Sequence, residues 1–160
     1  MCWRTRIITL VLAALLALQA SAPGFADEMP FDQREQFILS EINRIRAGQG
    51  LSQLQPNYKL CAMARSHSSN MARNGYLSHT DSLGRDFKER LGSKTGERYH
   101  AGENVANNNF PDSARFAVQG WRQSSKHLKN ILNAKFTDTG IGVAVNSDGL
   151  VFYTQIFLGK

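Results

Sequence analysis

The sequence is poor in the features that commit a chain to a familiar chemistry. It has two cysteines, Cys2 and Cys61, in 160 residues. That excludes a disulfide framework and any Cys-x-x-Cys redox or metal motif. No run of five or more like charges occurs, so there is no acidic or basic tail of the kind that binds nucleic acid. There is no His-Glu-x-x-His, no Gly-x-Ser-x-Gly, no phosphate-binding loop and no dinucleotide glycine pattern. The common metalloprotease, hydrolase and nucleotide-binding signatures are therefore missing. Internal repeats and low-complexity tracts are absent as well. The one long apolar run, Ile7 to Leu18, is short for a bilayer span.

The surroundings of that run account for it. Arg4 and Arg6 precede it with no acid, and small residues follow it as far as Ala26. This is the order of a secretory signal peptide, 1–26, with cleavage expected after Ala26. Cleavage after Ala22 would leave Pro23 as the new terminus. Cys2 precedes the apolar run, which disfavours a lipoprotein. The remainder, 27–160, is expected to form a single domain, exported to the periplasm or the extracellular medium, with no transmembrane anchor after cleavage. Nineteen basic residues less Arg4 and Arg6, against 13 acidic ones, leave a charge of +4. That balance suits solubility, or attraction to an anionic envelope component. A nucleic-acid partner is not expected, and the protein is expected to be a monomer. Cys61, the one cysteine past the leader, falls in an apolar helical pattern and reads as a buried thiol packing as a small hydrophobe.

Phe31, Ile38, Ile42 and Ile45 recur at helical spacing and predict a helix over 31–47, ended by Gly48 and Gly50. Leu60, Ala64, His67 and Met71 line one face of a second helix, about 57–74, stopped by Gly75. A short helix is expected at 86–91. Asp112 is placed to cap a helix that buries Ala114, Ala117, Val118 and Trp121. Ser124 or Ser125 is placed to cap the short helix that follows. The chain then turns to strands. Ile141 to Val145 and Val151 to Phe157 flank the turn residues Asn146 to Gly149. Phe152, Thr154 and Ile156 would lie on one face of the last strand, Val151, Tyr153 and Phe157 on the other. A strand covered on both faces belongs between helical layers. With a further strand around Glu103 to Ala106, the fold class is α+β, a three-layer α–β–α sandwich.

The polar residues able to carry chemistry are His67, His79, His100, Glu103, Asn104, Ser124 and His127. His67 lies on an apolar stripe and reads as a core histidine satisfied by hydrogen bonding. His79 sits in a loop rich in hydrogen-bonding residues. Glu103 precedes an apolar run, so its carboxylate is expected to be partly buried and to need partners, for which histidines are natural candidates. His127 opens a helix, where the dipole disfavours a positive charge, so its imidazole is expected to be readily neutral. Neutral imidazole is what a metal or a general base requires. His79, Glu103 and His127 are spaced by 24 residues each, unlike any local metal motif.

Six segments, in order, resemble the bacterial-type CAP superfamily (cysteine-rich secretory protein, antigen 5 and pathogenesis-related proteins). They are Ile42 to Leu54, Leu60 to Ala72, Tyr76 to His79, Gly102 to Ala106, Trp121 to His127, and the pair Ile141 to Val143 with Tyr153 to Phe157. The resemblance implies an α–β–α sandwich with a central cleft holding two histidines and one or two glutamates. Some members bind a divalent metal there, and members have been associated with lipid binding. Carried over by motif, the cleft residues are His79, Glu103, Asn104, Ser124 and His127. The metal ligands would be His79 and His127, with Glu103 as a neighbour or ligand and Zn²⁺ as the candidate ion. The sequence departs from the pattern at Ser124, where a second glutamate can stand, and at Ser125-Lys126, where Pro-Gly is usual. The missing carboxylate weakens an acid–base mechanism. The resemblance thus favours a lipid-binding or other small-ligand module of the envelope over a metal-dependent hydrolase, with a purely structural envelope role as the third reading.

Overall fold

The first helix, α1 (Gln33–Ala47), starts at Asp32, whose carboxylate accepts from the N–H of Arg34 while Glu35 reaches back to the Asp32 N–H. This capping box satisfies donors that the first turn would otherwise leave open. The computed structural model describes residues 32–92 and 99–159. The signal peptide expected over 1–26 and its cleavage site lie outside these residues, as does Phe31. A two-residue strand, β1 (Gln55–Pro56), leads into α2 (Tyr58–Asn74), capped by Asn57 and closed by Gly75 in the left-handed region at φ 69°. Then follow α3 (Phe87–Leu91), β2 (His100–Asn108), α4 (Ser113–Gln123), α5 (Ser125–Ile131), β3 (Asp138–Val145) and β4 (Val151–Gly159). Ser124 caps α5. Asp112 stands at the N-cap of α4 without a side-chain capping bond, because its carboxylate pairs with Arg115 instead.

The sheet order is β1-β3-β4-β2, with β1 parallel to β3 and the other pairings antiparallel. β4 lies between β3 and β2, and both its faces are buried. Val151, Tyr153 and Phe157 join Ile38 and Ile42 of α1, Ala117 and Trp121 of α4, and Ile131 of α5 in the main core. Phe152 and Ile156 turn the other way, onto Leu60, Ala64, Met71 and Ala72 of α2. The three layers are α1/α4/α5, the sheet, and α2 with α3.

The α2 layer rests on the sheet through two glycines. A Cβ at Gly140 would overlap the backbone of Leu60 and Cys61, and one at Gly142 the backbone of Ala64 and Arg65. Helix backbone therefore lies directly on strand backbone. The Ser68 hydroxyl donates to the Gly142 carbonyl at 2.9 Å, within bonding distance of Thr154 Oγ1. Cys61 is buried in this contact, and burial pushes its thiol pKa up, which keeps it protonated. On the other face, Arg46 is fully buried. Its guanidinium donates to the carbonyls of Ser52, Ile131, Asn133 and Phe136 and binds α1 to the C-terminal end of α5.

Edge strand β2 is protected by side chains. The Trp121 indole donates to the Val105 carbonyl at 3.0 Å, and Asn130 Nδ2 donates to the Glu103 carbonyl at 3.2 Å. These donors occupy acceptors that an exposed edge would offer to another chain.

Gly142→Ala is expected to destabilise the protein by about 2–3 kcal/mol, since a backbone-on-backbone contact cannot yield to the added methyl. Gly120, within α4, has nothing within 4 Å of its Cβ position, so Gly120→Ala is expected to stabilise by about 0.5–1 kcal/mol. Urea denaturation of both variants tests the assignment, and a neutral Gly142→Ala would contradict the α2–β3 packing.

Candidate functional site

Three local features converge on one carboxylate. Gly75 ends α2 and starts the loop that carries His79. Asp86 and Glu89 form a capping box that fixes α3, and Phe87 and Leu91 pack over Leu60, Ala64 and Ile156, which sets Arg90 beside the sheet. Glu103 pairs with Ile156 across β2 and β4, so its side chain leaves the sheet on the α2/α3 face. The Glu103 carboxylate is 2 % exposed. Arg90 Nη2 donates to both of its oxygens, at 3.0 and 2.8 Å, and to the His79 carbonyl at 3.0 Å. His79 Nδ1 stands 2.9 Å from Glu103 Oε1, with its side chain 53 % exposed. A ring nitrogen bonded to a carboxylate carries the hydrogen, so neutral His79 has a bare Nε2.

Asn104 points to the opposite face of β2. It is fully buried, donates to the His127 carbonyl at 3.2 Å and accepts from Asn130 at 2.8 Å. It holds α5 in place and does not itself reach the surface. Ser124 accepts from the His127 N–H at 3.5 Å as the α5 cap. His127 is half-buried. Its pKa is lowered chiefly by burial, then by the neighbouring positive charges of His79 and Lys126. The direction agrees with the neutral imidazole expected from sequence, but the causes are desolvation and neighbouring cations. His67 is buried, with Nε2 2.8 Å from the Ser78 carbonyl, and burial is also the main cause of its lowered pKa.

His127 and Ser124 line a groove of about 450 Å³ between β2, α4 and the loop after α2. Leu77, Phe110 and Phe116 line it and are 45, 50 and 41 % exposed. The two phenyl rings meet at a 34° tilt with centroids 4.2 Å apart.

The donor set does not fit a closed zinc centre. Such a site needs three or four converging protein ligands. Among the described residues no group of three or more His, Cys, Asp and Glu side chains is placed to hold a metal, and both oxygens of Glu103 already accept from Arg90. His79 and His127 remain as two imidazoles at most.

Sequence reasoning chose histidines as the partners of Glu103 and overlooked Arg90. The signal was present in Asp86-Phe-Lys-Glu89, a capping-box pattern that anchors a helix turn. A buried carboxylate is also better served by a permanent cation than by a titrating one. Asn130 was overlooked because its role, bridging Asn104 to the Glu103 carbonyl, exists only once α5 lies along β2.

Comparison with known proteins agrees with this architecture. The family model "Cysteine-rich secretory protein family" matches residues 39–157. An uncharacterized membrane protein of Bacillus subtilis, YlbC, is 36 % identical over 126 residues, covering 79 % of this chain and 34 % of that protein. The crystal structure of an extracellular protein containing an SCP domain, from Bacillus anthracis, superposes with a TM-score of 0.67 at 33 % identity, over 79 % of this chain and 40 % of that one. An outer surface protein of Borrelia burgdorferi shares the fold, with a TM-score of 0.70 at 18 % identity, over 81 % of this chain and 94 % of that one. This chain spans about a third of the length of YlbC. It belongs to the cysteine-rich secretory protein family. No helix among the described residues is long and apolar enough to cross a membrane.

His127 should titrate below the unperturbed value of about 6.5. Replacing His79 by Gln should move its midpoint up, because one source of repulsion is gone; NMR of the imidazole Cε1–H resonances checks both. The unfolded state binds the His67 and His127 protons more readily than the native state does. Their contribution to stability is thus complete above about pH 6.5 and is lost as the pH falls through the lowered native values. Melting temperatures that stayed flat from pH 7 to pH 5 would contradict this linkage.

Proposed function

We propose that this family member is an exported binding module, and that its groove takes the apolar part of a small amphipathic molecule of the lipid class. The observation that carries the reading is the clustering of Leu77, Phe110 and Phe116, all exposed, along a groove that His127 and Ser124 also line. An acyl chain or fused-ring body covers the phenyl pair. Its polar group turns to the His127 end, where imidazole and hydroxyl offer hydrogen bonds. Pockets of this type combine an apolar wall with a few polar groups that set orientation. A ligand with an anionic head gains further from the basic balance of the exported portion.

The Glu103 cluster supports this reading over hydrolysis. A general base needs an oxygen free to accept a proton from water, and the oxygens of Glu103 accept from Arg90 and face His79. Among the described residues a metal-dependent hydrolase would lack a third protein ligand as well. In the binding reading, the cluster fixes the loop that carries Leu77, two residues from His79.

Trp121 lines the groove and is the one tryptophan beyond the leader, so its fluorescence reports occupancy. Titration with palmitate, a lysophospholipid and a sterol is expected to give saturable quenching or enhancement with at least one of them. The Phe110→Ser/Phe116→Ser double variant should lose about tenfold or more in affinity, from roughly 1.5–3 kcal/mol of side-chain burial at each ring. Saturable binding that the double variant retains would move the ligand elsewhere, and no binding to any of the three would sink the lipid reading.

A further inference from the structure

Helix α4 is a ridge between two depressions of different chemistry. On one flank Phe116, in ring contact with Phe110, lines the groove described above. On the other flank, between α1 and α4, Arg44, Arg115 and Arg122 line a depression of about 480 Å³. Gln119 and Gln123 line both and so mark the crest. The inner face of the same helix is given to the core, through Ala114, Ala117, Val118 and Trp121. What α4 shows to solvent is thus two-sided, with phenyl rings along one flank, guanidinium groups along the other and neutral amides between them.

The crest carries a positive excess. Its acids are Glu41 and Asp112, and each is held by an arginine, Glu41 by Arg44 and Asp112 by Arg115. Arg122 is exposed beside them, and Lys126 follows, also exposed, in the first turn of α5. Four cations therefore stand against two acids. The rings of Phe110 and Phe116, 50 and 41 % exposed, lie next to this excess. An anionic polymer would meet the cations and leave the rings in water. An anionic bilayer meets both, because its headgroup layer is charged and acyl chains begin just beneath it.

We propose that the outer face of α4 docks on an anionic lipid bilayer, with Arg115, Arg122 and Lys126 at the headgroups and Phe110 and Phe116 turned into the interface. The proposal deepens the reading of the groove and rests on it in one respect: a lipid that dissolves poorly in water has to be taken from a membrane. Docking by this face brings the phenyl wall of the groove to the surface from which such a ligand comes. The arginines set the attraction and the orientation, while the rings supply the apolar contact.

The test is co-sedimentation with vesicles, using the protein without its expected signal peptide, which would itself enter lipid. Vesicles of phosphatidylcholine with phosphatidylglycerol should bind it about tenfold or more tightly than vesicles of phosphatidylcholine alone, and raised salt should remove the difference. The Arg115→Gln/Arg122→Gln double variant should lose about tenfold on the anionic vesicles. Neither arginine lines the groove, so the Trp121 response to a soluble lysophospholipid should be unchanged in that variant. The Phe110→Ser/Phe116→Ser variant should also bind the anionic vesicles more weakly. Equal binding to both vesicle types, or an arginine variant that binds as the parent does, would overturn the proposal. So would a phenylalanine variant that binds as the parent does, since charge alone would then hold the protein, as an anionic polymer could. The two readings fail separately: saturable probe binding with no vesicle binding overturns docking and leaves the groove, whereas vesicle binding with the expected losses and no probe binding upholds docking and removes the groove ligand.

Discussion

A carboxylate removed from water to the degree of Glu103 costs several kcal/mol in lost solvation, and the cost is recovered only when a cation and hydrogen bonds come with it. In this protein the cation is Arg90, and the demand for it organises one whole side of the molecule. For Nη2 to meet both carboxylate oxygens, α3 must sit over Leu60 and Ile156. For α3 to sit there, α2 must lie close on the sheet, which Gly140 and Gly142 permit. The same guanidinium nitrogen takes the His79 carbonyl, so the loop after α2 is fixed by the interaction that neutralises Glu103. A helix, a loop and an edge strand are thereby held by one ion pair of good geometry.

The opposite face of β2 is organised without charge pairing. Asn104, Asn130 and Trp121 meet the edge of the strand with neutral donors and acceptors. Arg46 supplies the one large buried cation there, and it is satisfied entirely by carbonyls. A guanidinium surrounded by four peptide oxygens completes α5 at its negative end and holds it against α1. With both ends of α5 so held, His127 keeps its place on the wall of the groove.

Much of the fold was legible in the sequence, because periodicity reports burial directly. The α2 stripe of Leu60, Ala64 and Met71 and the two faces of β4 lie where their spacing puts them. Two stops and caps were legible for a similar reason, since Gly75 and Ser124 act within one turn of their own position, whereas Asp112 pairs with Arg115 instead of capping α4. The limits appeared where a contact depends on two distant segments. β2 runs from His100 to Asn108, well beyond the short apolar stretch that signals it, because its ends are held by pairing with β4. β1 has no signal of its own, since two residues pairing with Asp138 and Thr139 form no pattern. At the site, the residue types were legible and the arrangement was not. Motif order brought forward His79, Glu103 and His127, yet Asn104 and Glu103, adjacent in sequence, serve opposite faces of the sheet as strand alternation requires.

That alternation bears on what the site is for. In the binding reading, the groove beside His127 does not need the Glu103 carboxylate as a reactive group. The carboxylate oxygens are occupied, and the side chains that remain open to a ligand along the groove are an imidazole and phenyl rings. Those groups recognise and hold, by dispersion, hydrogen bonding and charge. A carboxylate used as a base must be poised and exposed to its proton donor, whereas one used as a strut is best buried and saturated. Glu103 has the second set of properties, which suits the proposed binding role better than a catalytic one.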